Sequence, residues 1–162
     1  MIYCECKPDE ALLKELVPLK RKDYLHCSNK TEACKKLEKE KEIIAVLDKD
    51  PFSPQPRYLR RLQKSSAYHF SGLEILYDPE RKNKVILLNP RLEDWILKIA
   101  KRKRINPKDF NLPSNPRKLH RVVNQRLEKF REFLRAIIKE SPEELNVLKT
   151  ELQKKTSRSR VR

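Results

Sequence analysis

Two kinds of apolar spacing alternate along the first hundred residues of this chain. "MIYCE" is a short run that predicts a strand over residues 1–5. "PDEALLKELV" follows, with Ala11, Leu12, Leu16 and Val17 at helical spacing. Pro8 suits a first helical turn, and Asp9 and Glu10 favour its positive end. "DYLHCS" predicts a second short strand, and "NKTEACKKLEKEK" a helix polar on most faces. "EIIAVLD" is almost uninterrupted in its apolar character, the mark of a strand buried on both sides. The three prolines of "PFSPQP" require a loop. "RYLRRLQKSSA" reads as a helix carrying three arginines. "LEILYD" and "KVILLN" flank the short link "PERKN" and predict two strands that pair as a hairpin. "PRLEDWILKIAKRKR" places Leu92, Trp95, Ile96 and Ile99 on one helical face. A strand, helix, strand, helix, strand order predicts an α/β fold with a mainly parallel sheet flanked by helices.

The remainder reads as helical. "INPKDFNLPSNP" is a proline-punctuated linker, followed by one long amphipathic helix over residues 116–139. Its stripe is Leu119, Val122, Val123, Phe130, Phe133, Leu134 and Ile137. "SPEE" has the order of a capping box, with Ser141 as cap, Pro142 first and Glu144 third, opening a last helix to about Lys155. The expected organisation is an α/β domain over residues 1–105, a helical extension packed on it over 106–155, and a disordered basic tail over 156–162. The apolar stripe needs a cover, which the sheet, a second copy of the chain or a partner protein could provide.

Composition narrows the class of partner. The 162 residues carry 39 Lys and Arg against 23 Asp and Glu, a net charge of +16. That excess points to a polyanion, above all DNA or RNA. Abundant Lys, Glu and Ile with a single Gly is the balance of heat-adapted proteins. No segment reaches the roughly 20 apolar residues of a membrane span. "MIYCECKPDE" lacks the basic-then-apolar order of a signal peptide, so a cytoplasmic protein is expected. Cys4, Cys6, Cys27 and Cys34 form no CxxC pair and read as buried free thiols, with Cys4 and Cys6 sharing one strand face.

The informative feature is where the acids fall. Ligands of parallel α/β sheets gather at the carboxyl ends of strands. Glu5 ends the first strand, Asp48 ends the buried one, and Asp50 lies just beyond. If those strands are neighbours, three carboxylates converge, and they repel unless a cation neutralises them. A set of oxygen ligands suits Mg²⁺ or Mn²⁺ rather than zinc. In so basic a chain, the expected substrate is a phosphodiester.

These segments resemble a known family. "IYCECKPDEALLKEL" is similar to the first motif of the Toprim domain: a strand, a Glu, usually a Gly, and an Asp four residues after the Glu, opening a helix. "IIAVLDKDP" is similar to the second, a hydrophobic strand ending in Asp-x-Asp. The resemblance spans roughly residues 1–90 and is strongest toward Toprim nucleases of the overcoming-lysogenization-defect group and small Toprim ribonucleases. It implies Mg²⁺-dependent phosphodiester chemistry, with Glu5 as general acid/base or metal ligand and Asp48 and Asp50 as metal ligands. Asp9 matches the Asp of the first motif. Cys6 stands where the family usually has Gly, and Pro51 and Phe52 where a Gly often follows Asp-x-Asp. A Pro-then-Leu-Glu segment similar to "LNPRLEDWIL" occurs in small Toprim proteins, where a later acid helps hold a second metal; by that resemblance Glu93 is a candidate ligand. Asp94 reads instead as an acid favouring the helix start.

Several basic residues are candidates for phosphate handling. Lys7 and Lys49 lie inside the two acidic motifs and are candidates to stabilise transition-state charge. Arg57, Arg60 and Arg61 follow the acidic loop and are candidates to grip backbone phosphates. Phe52 and Tyr58 are either base-stacking or core residues. His26, His69 and His120 lack the spacing of a metal triad, and no GxSxG, HExxH or P-loop occurs. Two alternatives remain in the sequence: a Toprim-like module that binds nucleic acid or protein without turnover, and a haloacid-dehalogenase-type phosphatase built on "DKDPFS". In the latter family the acids normally follow the first strand, which they do not here.

Overall fold

A computed structural model of the chain describes residues 1–65 and 71–158, with side chains to residue 154. Its contacts divide the chain into two units, one made of Met1–Cys6 and Leu19–Arg91, the other of Lys7–Pro18 and the chain from Leu92 onward. The division differs from a single break near residue 105, because the first helix and the helix after residue 91 group with the C-terminal helices. Across the described residues the architecture is α/β, with one mixed sheet of six strands and seven α-helices.

The first unit holds the whole sheet. Its strands are β1 (Ile2–Cys4), β2 (Tyr24–His26), β3 (Ile44–Asp48), β4 (Gln63–Lys64), β5 (Leu73–Asp78) and β6 (Asn83–Leu88), in the order β2-β1-β3-β6-β5-β4. β2, β1, β3 and β6 run parallel; β5 and β4 are antiparallel additions. The hairpin expected from "LEILYD" and "KVILLN" forms, with Leu73 opposite Leu88 and Asp78 opposite Asn83. Its turn is fastened by Asp78, whose Oδ1 accepts the amides of Glu80 and Arg81 at 3.0 and 3.1 Å. β3 lies in the sheet interior, and Ile44, Ala45, Val46 and Leu47 are all buried, as their apolar run predicts.

Two helices belong to this unit: α2 (Lys30–Leu37), capped by Asn29 Oδ1 accepting the Glu32 amide, and the short α3 (Arg57–Arg61). Their inward residues Ala33, Cys34, Leu37, Tyr58 and Leu59 join Tyr3, Ala45, Leu47, Leu76, Val85 and Leu87 in one hydrophobic cluster. A buried polar knot locks it. Asn83 is fully buried; its Oδ1 accepts the Ile43 amide at 2.9 Å, and its Nδ2 donates to Leu37 O, Glu40 O and Tyr58 Oη at 2.9, 3.0 and 3.2 Å. Tyr58 Oη in turn donates to Asp78 Oδ2 at 3.0 Å. The end of α2, the start of β3 and the β5–β6 turn therefore share one hydrogen-bond centre.

The second unit is helical: α1 (Lys7–Leu16), α4 (Leu92–Arg102), α5 (Pro116–Val122), α6 (Leu127–Lys139) and α7 (Glu143–Arg158). α1 packs on α6, and Glu15 Oε1 and Oε2 accept from Arg131 Nε and Arg135 Nε at 3.1 and 2.9 Å. The stripe residues Leu119, Val123, Phe130, Phe133, Leu134 and Ile137 are buried within the single chain, so they do not stand open to a second copy or a partner.

Four local expectations are corrected. The helix starting at Arg57 ends at Arg61; Leu62 is extended, and Gln63 and Lys64 pair with Tyr77 and Leu76 at the sheet edge. The end expected for that helix, residues 66 and 67, lies outside the described residues. The helix over 116–139 is two helices, because the β-branched pair Val122–Val123 followed by Asn124 holds the helix weakly. The break lets Arg126 Nη1 donate to Asn111 O at 2.7 Å. Glu144 does not act as the far member of a capping box: it is buried and bound through both oxygens to Arg102 at 2.6 Å. Ser141, the expected cap, has a left-handed backbone with φ 45°. Finally, β1 stops at Cys4, so Cys4 and Cys6 do not share a strand; Cys4, Cys27 and Cys34 are buried free thiols and Cys6 is half-buried. α7 runs through Arg158, and the rest of the basic tail lies outside the described residues. No described helix is long and apolar enough to cross a membrane.

Candidate functional site

The strand order reverses at β1: the chain goes from β1 to β2 on one side, then returns to β3 on the other. The carboxyl ends of β1 and β3 thus form a switch point, the place where open α/β sheets hold ligands. Glu5 leaves β1 there and Asp48 ends β3 there. Their meeting is direct. Glu5 Oε1 accepts the Asp48 amide at 3.1 Å, joining residues 43 positions apart in sequence.

The chain beyond Asp48 is held by backbone bonds rather than left to wander. The Lys49 amide donates to Leu88 O and the Asp50 amide to Pro90 O, both at 2.8 Å. Asp50 adopts a left-handed backbone with φ 44°, which Asp tolerates better than most residues. The Asp50 carbonyl accepts the Ser53 amide at 3.0 Å and Ser53 Oγ at 2.9 Å. Gln55 Nε2 sits among three carbonyls, those of Lys49, Asp50 and Ser53, at 3.0–3.1 Å.

One important residue escaped the sequence reading. Lys30 Nζ donates to Lys49 O at 2.6 Å and to Asp48 O at 3.3 Å, so an ammonium sits at the carboxyl end of β3. A signal existed: Lys30 is the first residue of α2, and a cation at a helix N-terminus opposes the helix dipole. The charges around Glu5 reflect this neighbour. Burial pushes the Glu5 carboxyl above its ordinary value; the Asp48 amide and the Lys30 charge pull it back, and Asp50 adds to the rise. Glu5 and Asp50 are therefore close enough to feel one another, with Lys30 as the local counter-charge.

Do these residues fit a divalent ion? Among the described residues no group of three or more His, Cys, Asp or Glu side chains is arranged as a metal cage. Mg²⁺ does not need one, since it is commonly held by one or two carboxylates with water and substrate phosphate filling the rest. At this edge the acid such a mode would draw on first is Glu5, which holds the Asp48 amide and whose carboxyl feels Asp50.

The basic candidates divide. Lys49 does not attend the acids: its Nζ lies 2.6 Å from Glu74 Oε2, and Lys64 Nζ lies 3.2 Å from Glu74 Oε1. Although burial pushes the Glu74 carboxyl upward, these two ammonium groups outweigh it and hold the carboxyl below its ordinary value. The reason is parity, because neighbours along an extended chain point to opposite faces. Arg57, Arg60 and Arg61 are all exposed on α3. Arg61 lies over the Tyr58 ring at 5.1 Å and 3.8 Å from Glu38 Oε1. Tyr58 is buried and bonded to Asp78, so it is a core residue; Phe52 is 98% exposed.

Lys7, Asp9, Glu93 and Asp94 belong to the second unit. Lys7 is exposed at the start of α1, and Asp9 is buried in its first turn. Glu93 is buried and its Oε1 accepts from His120 Nδ1 at 3.0 Å, so its expected metal-ligand role competes with a histidine partner. His26 is exposed, and His69 lies outside the described residues. No family model matches this chain, and neither a curated protein nor a solved structure is significantly similar to it.

Proposed function

We propose that this chain is a Toprim-like protein of the cytoplasm that handles phosphodiesters with Mg²⁺ or Mn²⁺, acting as a nuclease on DNA or RNA. The observation that carries the reading is the bond from the Asp48 amide to Glu5 Oε1, at the point where the strand order turns. Glu5, Asp48 and Asp50 would hold the ion with the substrate phosphate. A bound divalent ion polarises a phosphoryl oxygen and lowers the pKa of its water. Glu5, whose carboxyl burial raises above its ordinary value, would be the group that holds or releases a proton. Lys30 fixes the carbonyls of the acidic turn and offers positive charge to a phosphate. The excess of basic side chains favours a polyanionic substrate.

A second reading has its own support. Lys30 already supplies a cation at this edge, and a resident ammonium suits a site that binds phosphate without a metal and without turnover. Plasmid nicking and cleavage of structured RNA, each with Mg²⁺ and with Mn²⁺, separate the two readings. Cleavage by the wild type that is lost in Asp48→Ala and Glu5→Gln supports the nuclease. Retained binding with no cleavage in either metal rejects it in favour of the binding module.

A further inference from the structure

Next to the acidic edge, the first unit displays an aromatic ring for which the fold has no use. Asp50 O and the Ser53 amide close a tight turn whose middle residues are Pro51 and Phe52. Proline at that position fixes the backbone in advance. Phe52 is 98% exposed, so it buries almost nothing, yet the turn beneath it is tied down by Ser53 Oγ and Gln55 Nε2. A lone exposed ring is ordinary on a protein surface, so what matters is the chemistry around this one.

The surroundings define the occupant. Pro51 also lines a cleft of about 380 Å³ on the same unit. Its lining has three cations, Lys49, Arg60 and Lys64, to one anion, Glu74, which both lysines bind, so positive charge remains in excess beside apolar Leu59 and Leu76. Phe52 is not part of that lining but follows Pro51 directly, so an exposed ring and a basic cleft are neighbours along the chain, a pairing that suits a nucleotide strand: base on ring, phosphate on cation. Base faces are free only where a strand is unpaired, since a duplex keeps them stacked. Phe52 is two residues from Asp50, at most about 7 Å of extended chain, so a strand seated there passes close to the acids.

We propose that Phe52 and this cleft bind single-stranded nucleic acid, one base stacking on the Phe52 ring while flanking phosphates lie against Arg60 and Lys64. The inference deepens the phosphodiester reading and rests on it for the identity of the ligand; it adds that the substrate is an unpaired strand.

The test measures fluorescence anisotropy of labelled oligothymidylate, oligouridylate and a duplex, each of about twelve nucleotides, in EDTA so that nothing is cut. Phe52→Ala should weaken binding of both single strands about tenfold and leave the duplex unchanged. Phe52→Trp should restore affinity, and its indole should be quenched on binding, against the buried native Trp95. Arg60→Ala should weaken binding and lower the salt slope by roughly one. Wild-type affinity in Phe52→Ala overturns the proposal, as does capture of polyglutamate but no oligonucleotide. The two readings fail separately. Strand binding that depends on Phe52, with no cleavage in any metal, sinks the nuclease alone; cleavage indifferent to Phe52 sinks the stacking site alone.

Discussion

Replacing Asn83 by Ala should remove much of the stability of the sheet-bearing unit. The side chain is completely buried and makes four hydrogen bonds, to Ile43 N, Leu37 O, Glu40 O and Tyr58 Oη. Two of the four partners find relief elsewhere: Glu40 is exposed, so water reaches its carbonyl, and Tyr58 keeps Asp78. The Ile43 amide and the Leu37 carbonyl belong to buried residues and lose their partner. Each such orphan costs roughly 1–3 kcal/mol, so the two together cost about 2–6 kcal/mol. A domain has roughly 5–15 kcal/mol in all. With a urea slope of about 2 kcal/mol/M, the midpoint should fall by about 1–3 M at unchanged slope. Asn83→Asp sharpens the test. It keeps the acceptor for Ile43 but turns a carboxylate oxygen toward two carbonyls, so it should cost more than Ala at pH 7 and recover in acid. A loss under about 1 kcal/mol for Ala, or an Asp variant more stable than Ala at pH 7, would refute the hydrogen-bond account.

Three further outcomes are expected. Burial pushes the Glu144 carboxyl up, but Arg102 outweighs it and holds the carboxyl below its ordinary 4.5. Since that value is depressed in the fold, the pair stabilises above pH 4.5 and the benefit fades as pH falls through the folded value. Arg102→Met should therefore cost about 2 kcal/mol at pH 7, discounted for the half-exposed guanidinium, and far less near pH 3 in melts of both proteins. Lys30→Met leaves the acidic edge without its ammonium, so Mg²⁺ should raise its melting temperature more than that of the wild type; no ion-dependent shift in either protein would count against a metal site. Burial pushes the thiols of Cys27 and Cys34 to about 11 and about 12. Native protein at pH 8 should then react with a thiol reagent at half-buried Cys6 first, and Cys6→Ser should abolish that fast phase.

Much of this architecture could be read from residue order. The apolar run at 44–47 announced an interior strand, and the five-residue link between "LEILYD" and "KVILLN" announced the hairpin. The proximity of Glu5 and Asp48 followed from placing both at strand ends. The parts that were missed depend on competition, which local pattern does not resolve. Lys49 had acids on either side in sequence, but its distant partner Glu74 sits on the face toward which it projects. Glu144 looked like a cap from its spacing to Ser141, and Arg102, 42 residues earlier, took the carboxylate instead. The stripe of α5 and α6 showed one continuous face, because periodicity is blind to a four-residue break that preserves the face. Lys30 lay outside every acidic motif, and its role appears only once α2 sets it beside the end of β3.

The sheet ends in β2 on one side and β4 on the other, three and two residues long. A foreign strand seeking to add itself there would find only a few backbone groups to pair with, and on the β4 side it would meet Lys64. Short edges of this kind are poor templates for recruitment by strand addition and for the edge-to-edge stacking that seeds fibrils. Capture through side chains on faces and rims, where charge and ring chemistry decide the choice, is the mode such a sheet favours.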